Sequence, residues 1–167
     1  MLKLVKSNDP ILKTKTEPFD FSSPTNDLLS SEIIPQMLQI MKTNGGIGLS
    51  APQVDLPLRI FIMKIESNEF ICINPVILGK SSDKEKIDER CLSFPGLRLT
   101  VSRPKSVIVE YQDPTGKTIS AELEGMEARC FLHELDHLNG VTFDKKVSSL
   151  VLNMAIRRQR KTQKKEK

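Results

Sequence analysis

The chain has 167 residues, 38% of them hydrophobic, with no Trp and one Tyr, enough for one domain with an aliphatic core completed by Phe and Met. No apolar run approaches the ~20 residues that a membrane-spanning helix needs, and the start, Met1-Leu2-Lys3-Leu4-Val5-Lys6, lacks the apolar stretch of a signal peptide, which points to the cytoplasm. The net charge of +4 is unevenly spread: residues 157–167 hold seven Lys/Arg and one Glu, the rest 18 basic and 20 acidic groups, so a nearly neutral body ends in a basic tail.

No repeat or interdomain linker interrupts the chain, so 1–167 reads as a single domain with the basic tail 157–167. Residues 7–25, rich in Ser, Asp, Thr and Pro, predict an extended segment on the surface. Leu28, Leu29, Ile33, Met37, Leu38, Ile40 and Met41 approximate a helical stripe and predict a helix over 26–43, kinked or restarted at Pro35 and ended by Asn44-Gly45-Gly46. Leu58–Ile65 and Phe70–Ile73 are β-branched runs that predict strands, the second continuing past a bulge at Asn74-Pro75 into Val76–Leu78. The charged stretch Ser81–Asp88 predicts a loop. Ser106–Gln112 alternates cleanly, and Asp113-Pro114-Thr115-Gly116 turns it back into Thr118–Leu123 as a hairpin. A helix over Gly125–Asn139 follows, with Gly140 at its C-terminal cap, then a last helix capped by Ser148 or Ser149. The fold class this predicts is α+β: antiparallel sheets around a central metal-binding helix, with a C-terminal helix.

The central helix carries His133-Glu134-Leu135-Asp136-His137, which includes both histidines of the chain. Residues four apart share a helix face, so both imidazoles reach one metal ion with Glu134 beside it as a base. A catalytic metal usually takes three protein ligands and a water. No histidine follows His137, Glu166 lies in the basic tail and Asp144 is a weak candidate, so the third ligand comes from upstream. Among the cysteines, too few and too scattered for a disulfide framework, Cys72 sits in an apolar strand, and Cys130 on the same helix would crowd one side of the ion. Cys91, at a polar-to-apolar junction before a turn, fits best.

With these residues in view, the sequence resembles the peptide deformylases, metallohydrolases that remove the formyl group from the N-terminal methionine of new bacterial proteins. Three motifs carry the resemblance in order: Gly46-Ile47-Gly48-Leu49-Ser50-Ala51-Pro52-Gln53, Glu89-Arg90-Cys91-Leu92-Ser93 and the His133–His137 segment. It runs from near the N-terminus to about residue 150. Ser50 is a mild departure. Arg90 replaces the family's glycine, a residue suited to positive φ or to close approach by substrate. The first case would strain Arg90, and the second would put a cation at the mouth of the site.

The resemblance implies Cys91, His133 and His137 as metal ligands, with Fe²⁺ native and Zn²⁺, Ni²⁺ or Co²⁺ accepted in preparations. It implies Glu134 as the proton carrier, with the Gln53 amide and the Leu92 backbone N–H as oxyanion donors. Gly46 and Gly48 would let the substrate backbone lie against the chain, and Ile47, Ile87, Met126 and Cys130 would form the methionine slot. Glu89 is grouped with the substrate-binding residues, Arg98 lies near the bound peptide backbone, and Arg129 narrows or re-polarises the slot. Asp136 would pair with Arg103 to hold the metal helix. The implied partners are formylmethionyl nascent peptides and ribosomal RNA near the exit tunnel. The last helix would dock there, with Leu150, Val151 and Met154 anchored on the body and the cations from Arg157 to Lys167 on phosphate. No membrane partner is expected, and the chain reads as a monomer. The residues alone also fit a zinc protease, against which the missing downstream ligand speaks, or a nucleic-acid-binding protein on a decayed enzyme, against which the complete set Cys91, His133, Glu134, His137 and Gln53 speaks.

Overall fold

The computed structural model of the chain describes residues 1–165; Glu166 and Lys167, the end of the expected tail, lie outside the described residues. The Pro- and Ser-rich start is irregular apart from short turns such as Pro10–Lys13. Asn74 ties it to the body, accepting from Phe19 N (2.6 Å) and donating to Phe19 O (3.0 Å). The helix predicted over 26–43 comes in three pieces: α1 (Thr25–Leu28), a π turn (Leu29–Ile33) and α2 (Ile34–Thr43). Pro35 restarts the helix as predicted. It lies in the first turn of α2, directly after the π turn, whose wider winding accommodates a residue with no N–H to bond the turn before it.

Seven strands follow: β1 (Gly48–Ser50), β2 (Ile60–Ile65), β3 (Asn68–Lys80), β4 (Lys84–Glu89), β5 (Leu99–Pro104), β6 (Ser106–Gln112) and β7 (Thr118–Glu124). All pair antiparallel, in a five-stranded sheet of order β1-β2-β3-β6-β7 and a separate β4-β5 pair. The predicted bulge in β3 is present: its register with β6 shifts between Ile73 and Val76, where Asn74 takes φ +51. Ile60, Phe61, Ile62 and Met63 of β2 are all fully buried. Alternate residues feed two cores, Ile60 and Ile62 toward α2, Phe61 and Met63 toward the central helix α3 (Gly125–Leu138). Burial on both faces explains why this strand is continuously apolar rather than alternating.

Most of the expected loop Ser81–Asp88 is strand: β4 takes in residues 84–88 and Glu89. Its side chains through Lys86 are exposed; the stretch is extended because β5 offers a full register from Lys84↔Pro104 to Glu89↔Leu99. Pairing overrides weak intrinsic preference.

Helix α3 covers the sheet through Ala128, Phe131, Leu132, Leu135 and Leu138, with Phe131 edge-on to Phe61 (ring centroids 5.0 Å apart). It ends as predicted: Asn139 caps it and Gly140 takes φ +69, where a Cβ would lie 2.7 Å from Lys13 O. Thr16 closes the same end, donating its N–H (2.9 Å) and Oγ1–H (3.0 Å) to Leu138 O.

The last helix, α4 (Ser149–Lys165), lies on the β4-β5 side. Its inner face is Leu152, Ala155 and Ile156, packed with Val147 on Leu97, Leu99, Val101 and Phe143. The expected anchors Leu150, Val151 and Met154 are instead 69%, 41% and 46% exposed. At about 100° per residue, a two-residue offset turns Leu150 and Met154 about 200° from Leu152, so only one of the two apolar stripes docks. Among the described residues no helix is long and apolar enough to cross a membrane.

Candidate metal centre

The i, i+4 spacing on α3 puts the His133 and His137 rings side by side, centroids 5.2 Å apart. Cys91 arrives from the loop after β4, its Sγ 3.2 Å from His137 Nε2. One donor atom from each of Cys91, His133 and His137 lies within 4.8 Å of the others, and all three residues are buried. A tetrahedral ion with bonds of about 2.0–2.3 Å holds its donors roughly 3.5 Å apart, so this thiol and two imidazoles fit a divalent metal. Cys72 is in the core, as expected. Cys130 faces the same cleft but points its Sγ at Ile47 O (3.6 Å).

Behind the imidazoles lies a buried charge network of which the sequence disclosed only the pair of Asp136 with Arg103. Glu89 Oε2 lies 3.0 Å from His133 Nδ1, which turns Nε2 toward the metal position. Arg103 clamps the same carboxylate with Nε (2.5 Å) and Nη2 (2.9 Å), and Arg129 Nη1 adds a bond at 2.7 Å. Burial opposes charge on Glu89, yet the bonds from His133 and Arg103 prevail and hold its pKa down at about 2. Glu89 therefore lines the cleft with both oxygens already engaged by protein groups. Arg129 also lines the cleft and donates to Val101 O (3.0 Å) and Glu85 O (2.8 Å), so it ties α3 to β4 and β5. The expected pair of Asp136 with Arg103 forms at 2.8 Å, and Lys146 holds the other Asp136 oxygen at 2.9 Å. A buried Glu two residues before the Cys, on a strand, was the available signal. That signal is hidden because the charged stretch just before it, Ser81–Asp88, carries no strand pattern of its own.

Glu134 is buried and its Oε2 has no hydrogen-bond partner among the described residues. Burial lifts its pKa to about 7, against the opposing pull of His133 and Arg103. Burial opposes charge on His133 as well, but bonds with Cys91 and Glu89 push its pKa up to about 10. Gly48 owes its lack of a side chain to this helix. A Cβ there would sit 2.5 Å from Glu134 Oε1 and 2.7 Å from Cys130 Sγ, so close approach of α3 to β1, rather than of substrate, excludes one. At Gly46 the close contact of a Cβ would be the flexible end of Leu92, 2.7 Å away, with Gly48 O at 3.4 Å.

Gln53 is buried in the 3-10 turn after β1, and Ser50 orients it: Ser50 N–H and Oγ–H both donate to Gln53 Oε1 (2.9 and 3.0 Å). That leaves Nε2 to donate toward Cys91 Sγ (3.4 Å) and Ser93 Oγ (3.2 Å), beside the metal position. The backbone N–H of Leu92 makes no hydrogen bond among the described residues. A cleft of about 530 Å³ opens over these groups, lined also by Gly46, Ile47, Arg90, Met126 and Cys130. Ile47 and Met126 are 45% and 43% exposed there, as apolar groups awaiting a ligand would be. Ile87 and Arg98, expected at the site, do not line it. Ile87 pairs with Val101 inside the second sheet, and Arg98 stays exposed, 3.9 Å from Asp88.

The sequence matches the polypeptide deformylase family over residues 1–153. It is 38% identical over 156 residues to the chloroplastic peptide deformylase 1B of Oryza sativa subsp. japonica, covering 90% of this chain and 56% of that one. The chain thus spans a little over half the length of its plant relatives. The crystal structure of the Synechococcus elongatus peptide deformylase in complex with actinonin superposes with a TM-score of 0.86 at 37% identity, over 95% of this chain and 85% of that one. The Met-Ala-Ser-bound class I type b enzyme of Acinetobacter baumannii gives 0.82 at 31% identity, over 87% and 98%.

Proposed function

The chain belongs to the polypeptide deformylase family, and from that premise we propose that it is a metal-dependent hydrolase removing the formyl group from the N-terminal formylmethionine of newly synthesised polypeptides. One observation supports this above the rest: Cys91, His133 and His137 bring one donor atom each within 4.8 Å of one another, and Cys91 and His133 line a cleft whose wall also carries Glu134 and Gln53. Cys91 Sγ, His133 Nε2 and His137 Nε2 would hold the ion, Fe²⁺ natively with Zn²⁺, Ni²⁺ or Co²⁺ accepted. When bound, such an ion lowers the pKa of water and polarises the formyl oxygen.

The rest of the chemistry falls to the chain's own groups. Glu134, with a pKa near neutrality, takes a proton from the attacking water and passes it to the leaving amine. The Gln53 amide and the Leu92 N–H donate to the oxygen that gains negative charge, one such donor being worth roughly 2.7–4 kcal/mol of barrier. Glu89, fixed by two arginines, holds His133 in one orientation. β1 is an edge strand, beside which an extended peptide can add, with the methionine side chain against Ile47, Met126 and Cys130. Iron-loaded protein, prepared without oxygen, should release formate from formyl-Met-Ala-Ser and leave internal peptide bonds intact. Formate release absent from folded, metal-loaded protein would overturn the assignment.

The reaction belongs in the cytoplasm, with the enzyme a monomer that meets its substrate at the ribosome. Because Leu150, Val151 and Met154 are turned away from the body, they are free to join Arg157, Arg158 and Lys161 in one docking surface on α4. Deleting residues 157–167 should weaken salt-sensitive co-sedimentation with ribosomes and spare hydrolysis of the free tripeptide. Equal ribosome binding with and without the segment would remove this role.

A further inference from the structure

Arg90 stands where the family resemblance expects glycine, and the backbone decides between the two reasons a glycine could be there. Positive φ among non-glycine residues occurs only at Asp55, Glu66 and Asn74 in the described chain, so Arg90 sits without strain. What the substitution changes is the wall of the cleft, which Arg90 lines with an exposed side chain.

The other charges on that wall are committed. Asp88 accepts from Thr100 Oγ1 (2.6 Å) and faces Arg98 (3.9 Å). Glu89 and Arg129 are buried against each other and Arg103. Glu134 lies deep, at the reacting end. Arg90 is therefore the exposed cation presented by the lining. It directly precedes Cys91, which fixes its distance from the reacting end. With the formyl carbon held at the metal position and the methionine side chain against Ile47, Met126 and Cys130, an extended peptide advances about 3.3 Å per residue toward the rim.

We propose that Arg90 sets substrate preference, favouring formyl peptides with an acidic side chain at the first or second position after the methionine. This rests on the deformylase activity proposed above. An exposed ion pair of this kind is worth a few tenths to about 1 kcal/mol, or about a two- to fivefold ratio in kcat/KM, and added salt screens it.

The test measures kcat/KM on formyl-Met-Ala-Ser, formyl-Met-Glu-Ser, formyl-Met-Lys-Ser, formyl-Met-Ala-Glu and formyl-Met-Ala-Lys with wild type, Arg90→Gln and Arg90→Glu. Inhibition by the products Met-Glu-Ser and Met-Lys-Ser gives a readout independent of turnover. Wild type should favour Glu over Lys at one of the two positions, Arg90→Gln should level the ratio, and Arg90→Glu should invert it. Glu-to-Lys ratios equal in all three proteins, with formyl-Met-Ala-Ser still turned over, would overturn the role of Arg90 alone. Failure of wild type on formyl-Met-Ala-Ser would instead overturn the activity on which it rests.

Discussion

Helices α3 and α4 both begin as amphipathic stripes in the sequence, but they are held in different ways. α3 is enclosed: from Ala128 to Leu138 every residue but Asp136 is buried. Its apolar side meets the sheet, and its polar side is fastened by Glu89, Arg103 and Lys146. α4 is held on one side, by β5, Phe143 and the loop before β5, where Gln159 Nε2 donates to Pro95 O (2.6 Å), and leaves a second apolar stripe in solvent. An element constrained on two sides has one way to sit. An element constrained on one side is placed by whichever stripe fits better, and its free side stays available to a partner.

The sharpest way to break this contrast is at the enclosed helix. Glu134→Ala should keep its metal and lose about 10²–10⁴-fold in turnover, whereas Cys91→Ala should lose the metal itself. Metal content measured beside formate release separates the two, and a Glu134→Ala protein within a few-fold of wild type would remove Glu134 as proton carrier. Next comes the network behind it. Glu89→Ala leaves the Arg103 and Arg129 guanidiniums buried without their shared carboxylate, and urea unfolding should show a loss of about 3–5 kcal/mol. A loss under 1 kcal/mol would mean that the network relaxes freely. The smallest effects lie on α4. Ile156→Ala, half-buried against the second sheet, should cost about 1–2 kcal/mol, below the range for full burial. Leu150→Ala should stay within about 0.5 kcal/mol. The reverse order would mean that the other stripe docks.

Local patterns were legible wherever one element carried its own signal. The hairpin of β6 and β7, the bulge in β3 and the Gly140 end of α3 each depend on residues adjacent in the chain. β4 was not legible, because Lys84–Glu89 has no apolar face and is extended only by virtue of β5. With that strand went Glu89, whose role depends on Arg103, Arg129 and His133, which lie 14, 40 and 44 residues away.

By itself, the sequence determined the chemistry the site offers: two imidazoles one helical turn apart with a carboxylate between them, and a single cysteine suited to meet them. Spacing on a helix is geometry, so those residues face one way before anything else folds. The tertiary structure decided what holds them and what surrounds them. Gly48 is bare because α3 crosses β1 within contact distance of Glu134, Arg129 is a strut because β4 and β5 present it with carbonyls, and α4 turns Leu152 and Ile156 inward because the second sheet offers a complementary face. Each depends on surfaces brought together from distant parts of the chain, and burial and pairing there outweigh the preferences that neighbouring residues encode.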